Sequence, residues 1–195
     1  MKAPFKIKQQ WITSLILLVL VVFISSCVTK EQKRVDQFST SNNVEKLGME
    51  LMNLWETGDT LKTTNIFINE STYNDIANNQ VFSGIQEINK YISHIHTWAS
   101  EIKMTTRNIK VSNENGYIEW TLNAKQTKPI IGRIPVATNN DIVLKGVTII
   151  EMKNEKIEKA SDYMDVLGFV IQLGSKVELP GGMVIGEEIK DTNQQ

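Results

Sequence analysis

The chain opens with a near-continuous apolar run, Trp11 to Ile24, and then turns polar over residues 28–43 (VTKEQKRVDQFSTSNN). That composition predicts a tether rather than a packed element. From Val44 apolar residues recur at Val44, Leu47, Leu51, Met52, Leu54 and Trp55. This is helical spacing, with Asn43 able to cap the first turn. Gly58-Asp59 stops the helix, and a second short one is expected from Thr60 to Ile66. Phe67 to Ile76, with Phe67, Ile68, Tyr73 and Ile76 as its apolar members, reads as one irregular strand or arm. In the next helix Ser83 can serve as the cap, and Ile85, Ile88, Tyr91, Ile92 and Ile95 form its apolar stripe.

Beyond that helix the period changes to two. Met104 to Ser112 and Tyr117 to Gln126 read as strands joined by a hairpin at Asn115-Gly116. Pro129, Gly132, Pro135 and Asn139-Asn140 make residues 127–140 a loop. A second hairpin follows, Asp141 to Met152 and Lys156 to Met164 around Asn154-Glu155, then a short helix from Asp165 to Leu173 with Gly174 as C-cap. The tail from Ser175 reads as an extended arm, then disorder. Helices followed by runs of antiparallel strand predict an α+β domain over residues 44–174, in which a curved antiparallel sheet wraps around the N-terminal helices. Such a cone leaves a cavity open at one end.

Charge and the single cysteine change the picture at the N-terminus. Lys2, Lys6 and Lys8 precede the apolar run, which at 14 residues is shorter than the roughly 20 a membrane-spanning helix needs. Ile24-Ser25-Ser26-Cys27 follows and resembles the lipobox of bacterial lipoproteins. Residues 1–26 are therefore expected to be a cleaved signal, with Cys27 lipidated and the protein anchored in the cell envelope, periplasmic or surface-exposed. Cys27 is the sole cysteine, so no disulfide forms within the chain. Removing residues 1–26 takes away Lys2, Lys6 and Lys8 and no acid, leaving 18 basic against 22 acidic residues, a net charge of −4. No basic patch remains to neutralise phosphates, so nucleic acid is not an expected partner.

Several segments over Val44 to Gly174 resemble one family. LMNLWETGDTLKTTNIF is similar to the opening helix and W-x-x-G-D turn of the SnoaL-like polyketide cyclases, within the nuclear-transport-factor-two-like superfamily of cone-shaped domains. VFSGIQEINKYI is similar to the family's Gly-plus-helix segment, and GYIEWTLNAK to its central Trp-bearing strand. DIVLKGVTIIEMKNEKIEKASDYMDVLGFVIQLG resembles its closing hairpin, aromatic-x-Asp ending and Q-L-G. Asn154-Glu155-Lys156-Ile157 replaces the usual Asp-Gly-Lys-Ile turn, and Lys128 to Asn140 diverges. The resemblance implies cofactor-free proton transfer on a small apolar or ring-bearing molecule, and pairing of two copies through the sheet.

The resemblance also implies that Asp165, at the end of the last strand, is the catalytic acid/base. A carboxyl in apolar surroundings has the raised pKa that such a role needs. Asp at a strand-to-helix junction is equally a favoured N-cap. Along that strand Asp165, Tyr163 and Ser161 share one face and Asp162 and Met164 the other, and Asp162 reads as a solvated or capping carboxylate. Tyr163, Trp120, Tyr73, Trp98 and Tyr91 are the candidate pocket residues. With Trp120 inward, Tyr117, Glu119, Thr121 and Asn123 face solvent. His94 and His96 do not share a helix face and have no acidic residue at ligand spacing, so no metal is expected, and the resemblance implies no other cofactor. Arg107 and Arg133 read as solvated. The competing expectation is a noncatalytic ligand-binding or protein-interaction lipoprotein on the same scaffold.

Overall fold

A computed structural model describes residues 43–112 and 115–186. The expected signal, Cys27, most of the expected tether and the end of the tail lie outside the described residues. The first helix, α1, spans residues 43–57. A single 3₁₀ turn (Thr60–Lys62) leads into α2 (Thr63–Ile66), then β1 (Phe67–Asp75), β2 (Gln80–Ser83) and α3 (Gly84–Trp98). The remaining elements are β3 (Ala99–Ser112), β4 (Asn115–Gln126), β5 (Asp141–Lys153), β6 (Lys156–Met164), α4 (Val166–Gln172), β7 (Val177–Glu178) and β8 (Val184–Ile185).

The main sheet runs β2-β1-β6-β5-β4-β3, and it curls against the helices as the α+β reading expects. It departs from that reading in two ways. Phe67 to Ile76, expected to be one irregular strand or arm, is the strand β1, but it pairs antiparallel with an unexpected strand, β2, and lies parallel to β6, so the sheet is mixed rather than purely antiparallel. The tail folds back as a small β7–β8 pair before the described residues end. Asn115 and Gly116, expected at a turn, belong to β4, where they pair with Ser112 and Val111.

In β4 the burial alternates with a period of two, so Ile118, Trp120, Leu122, Ala124 and Gln126 all face inward. Register shifts between Ser100 and Lys103 and between Thr106 and Asn108 mark bulges in β3, with Glu101 at a positive φ of 56° in the first. Bulges bend the strand that carries them and sharpen its twist. Into the curl pack Val44, Leu47, Leu51 and Leu54 of α1 and Ile88, Ile92 and Ile95 of α3, meeting Ile118, Ile142, Ile150 and Ile157 of the sheet. α1 comes so near β4 that a Cβ on Gly48 would stand 2.9 Å from Ile118 Cδ1. Glycine is what lets that helix lie down.

Candidate functional site

Between α3, the inner face of β4–β6 and the loop 127–140 lies a cavity of about 510 Å³. Its wall is mostly aromatic and aliphatic, with Trp55, Phe82, Tyr91, Trp98 and Trp120 among the lining side chains. The chemistry sits on one wall, where β1, β6 and β5 run side by side. Asp75 and Asp162 are direct neighbours across the β1–β6 ladder, and Thr148 is the neighbour of Asp162 across β5–β6. Both carboxyls line the cavity, and both are buried.

Asp162 is the meeting point of two hydrogen-bond relays. Trp55 Nε1 donates to the Tyr73 hydroxyl at 3.0 Å, which donates to Asp162 Oδ2 at 2.9 Å. On the other side Trp120 Nε1 donates to Thr148 Oγ1 at 2.8 Å, and Thr148 donates to Asp162 Oδ1. Burial strips water from the carboxyl and pushes its pKa up to about 7, Asp75 adds to the rise, and the Thr148 and Tyr73 hydrogen bonds oppose it. The Tyr73 and Tyr91 hydroxyls are held far above their ordinary range, by burial first and by Asp162 second, so both are donors. Asp75 accepts from Asn78 through its backbone N–H at 3.0 Å and its Nδ2 at 2.7 Å. Arg133 Nη1 in turn donates to Asn78 Oδ1 at 2.6 Å.

Three expectations are corrected. Asp165 is exposed and is the N-cap of α4, its Oδ1 accepting from Gly168 N–H at 2.8 Å. It lies past the end of β6, where the strand's alternation no longer aims it. Tyr163 is 48 % exposed and points outward. Ala160 and Asp162 face in, and Met164 lines the cavity with them, so Asp162 is neither solvated nor capping. The apolar residues two positions to either side of Asp162 were the sequence signal for this. Trp120, Trp98 and Tyr91 line the cavity, and Tyr73 stands behind Asp162 as its donor. His94 lines the cavity, whereas His96 donates from Nε2 to the Trp55 carbonyl at 3.1 Å. Among the described residues no three His, Cys, Asp or Glu side chains gather as a metal site.

Gln126 has a role that its sequence position does not suggest. It is fully buried at the end of β4. Its Nε2 donates to the Lys128 and Val136 carbonyls, and its Oε1 accepts from the Thr138 N–H and hydroxyl. These bonds fold the loop that carries Ile130, Ile131 and Arg133 to the cavity.

No curated protein matches the chain. Among solved structures, TsrD from Streptomyces laurentii is 22 % identical with a TM-score of 0.61, over 68 % of this chain and 96 % of that one. A SnoaL-like polyketide cyclase homologue from Jannaschia sp. CCS1 is 13 % identical with a TM-score of 0.62, over 69 % and 94 %. A protein of ketosteroid-isomerase-like fold from Catenulispora acidiphila, in complex with trimethylamine, is 14 % identical with a TM-score of 0.57, over 66 % and 92 %. These likenesses establish the cone fold. The sequence profile of the SnoaL-like polyketide cyclases matches residues 49–173, a span holding the cavity, both relays and the closing helix, and the chain belongs to that family.

Proposed function

We propose that the cavity binds a small, largely apolar, ring-bearing molecule and that Asp162 is its general acid/base, in cofactor-free chemistry of the cyclase or isomerase type. The observation that carries this reading is the setting of Asp162: buried, at the wall of an aromatic cavity, held by two hydroxyl donors, with its pKa pushed up to about 7. A carboxyl of that pKa can take and return a proton near neutrality, and positioned general bases accelerate proton transfer by about 10²–10⁴-fold. Tyr73 and Thr148 are its positioning residues. They fix both oxygens, and Trp55 and Trp120 fix them. The trimethylamine held by the Catenulispora acidiphila neighbour supports the use of such a cone for small organic ligands.

In this reading the domain is held at a bacterial membrane by lipid on Cys27, in the cell envelope. The support is the basic n-region, the short apolar run and the Ile24-Ser25-Ser26-Cys27 ending.

Deuterium exchange tests the chemistry. The full chain is incubated in D₂O with ring-bearing carbon acids (1,3-diketones, β-keto esters and aryl ketones), and loss of the C–H signal is followed by NMR. Exchange is expected with at least one class, reduced about 100-fold or more in Asp162→Asn and unchanged in Asp165→Asn. Equal exchange by wild type and Asp162→Asn, or no exchange with any probe, refutes the acid/base role.

A further inference from the structure

We infer that the ligand of this cavity carries a cationic nitrogen, an ammonium or iminium group seated between the paired carboxyls of Asp75 and Asp162 and the rings of Trp55, Phe82, Tyr91 and Trp120. This rests on the reading of the cavity as a ligand site and names the class of ligand.

The first ground is charge. Among the described residues the buried charged side chains are Asp75 and Asp162, and no basic side chain is buried with them. They are neighbours in register, so two carboxyls share one apolar wall. An uncharged apolar ligand would displace water from both carboxyls and offer them nothing, which raises the cost of ionising either. A cation removes that cost for both at once. Asp162 accepts hydrogen bonds from Tyr73 and Thr148, and Asp75 accepts from Asn78 twice and from Tyr91, which leaves each carboxylate with some of its roughly four lone-pair sites unused, so an N–H⁺ donor has somewhere to bond.

The second ground is the set of rings. Phe82 stacks on Tyr91 with centroids 4.2 Å apart, and Trp55 meets Tyr91 edge to face at 5.0 Å. Trp120 lines the same space. Aromatic faces attract a cation through their quadrupole, most strongly where water is excluded. Three basic side chains also line the cavity, and all three are exposed rather than buried with the carboxyls. Lys90 is exposed and paired with Glu87 at 2.7 Å, Arg133 is exposed and bonded to Asn78, and His94 is exposed on α3. The groups facing Asp162 itself are Tyr73 and Asp75 from β1, Tyr91 from α3 and Thr148 from β5. None of these is a cation.

The test is titration calorimetry of the full chain with benzyltrimethylammonium and its uncharged isostere neopentylbenzene, at matched free concentrations. The cation is expected to bind at least tenfold tighter at pH 8. Its affinity is expected to fall about tenfold by pH 6, with a proton released on binding, because a carboxyl titrating near 7 must ionise to meet it. Asp75→Asn and Asp162→Asn should each lose the preference while still binding neopentylbenzene, which shows that the cavity is intact. The inference is overturned if neopentylbenzene binds as tightly as the cation, or if the cation's affinity ignores pH and both substitutions, and in either case the cavity reading stands. If neither probe binds, the cavity reading falls with it.

Discussion

Asp162→Asn should stabilise the protein, and by an amount that grows with pH. In the folded chain the carboxyl titrates near 7, against 3.8 for the unperturbed group, because burial disfavours its charged form. Between those values the folded state binds a proton that the unfolded state has released, so stability falls as pH rises through this window. Below about pH 4 both states are protonated and nothing is lost. At pH 8 the integrated loss is about 4 kcal/mol, since each pKa unit corresponds to about 1.36 kcal/mol. Asparagine has the shape of the neutral acid and never ionises. Its advantage over aspartate should therefore be near zero at pH 4 and approach about 4 kcal/mol at pH 8. Urea unfolding of both proteins at intervals between pH 4 and 8 measures the difference directly, and subtraction cancels the other groups that titrate in the same range. A difference that stays flat across the window, or that favours aspartate at high pH, would refute the claim that Asp162 is buried without a compensating charge.

Asp165→Ala should cost about 1 kcal/mol through loss of the α4 cap, read by urea unfolding, and leave deuterium exchange unchanged. Gly146→Ala would place a Cβ 2.4 Å from Trp120 Cζ2 and 2.7 Å from the Tyr163 carbonyl oxygen. Overpacking of this kind costs about 1–3 kcal/mol, and thermal unfolding should fall by roughly 3–10 °C. Adding Trp120→Phe should recover part of that loss, since it removes the nearer of the two clashes. Cys27→Ser should abolish incorporation of labelled palmitate and shift the protein from the membrane to the soluble fraction on centrifugation. Retention in the membrane without label would instead mean that the Trp11 to Ile24 run is the anchor.

The long elements were legible because their periods are strong. The stripe through Ile88, Ile92 and Ile95 and the alternation through Ile118, Trp120 and Leu122 each specify one element and one buried face. β2 was not legible: Gln80 to Ser83 is four residues with one half-buried aromatic, too short for any period, and its strand character comes from pairing with β1. The parallel pairing of β1 with β6 was equally hidden, since Phe67 and Ile157 are far apart in sequence and no local pattern encodes parallel neighbours. In the site, Trp98, Trp120 and Tyr91 were found because large rings are seldom left fully exposed, whereas Tyr163 points outward and Phe82 was missed. The acid was misplaced by three residues. Asp165 fits the family's strand-end position, but the alternation through Ala160, Asp162 and Met164 assigns the inward carboxyl to Asp162. The pairing of Asp162 with Asp75 was beyond reach, because it depends on the β1–β6 register.

Two fully buried polar side chains in this domain show what separates an architectural group from a reactive one. Gln126 holds the 127–140 loop with four hydrogen bonds, is neutral at every pH, and leaves neither its donors nor its acceptor unsatisfied. A neutral amide is all that this task needs. Asp162 also has its neighbours arranged around it, with the Trp55–Tyr73 and Trp120–Thr148 relays both ending on its oxygens. If those relays existed only to fill the core, an amide or a well-packed apolar residue would serve as well, without a cost of about 4 kcal/mol at pH 8. The carboxyl differs from either replacement in one property, the ability to gain and lose a proton while fixed against a cavity of about 510 Å³. A fold that carries that cost at a cavity wall, beside a second buried acid, has placed its titratable group where a ligand would meet it.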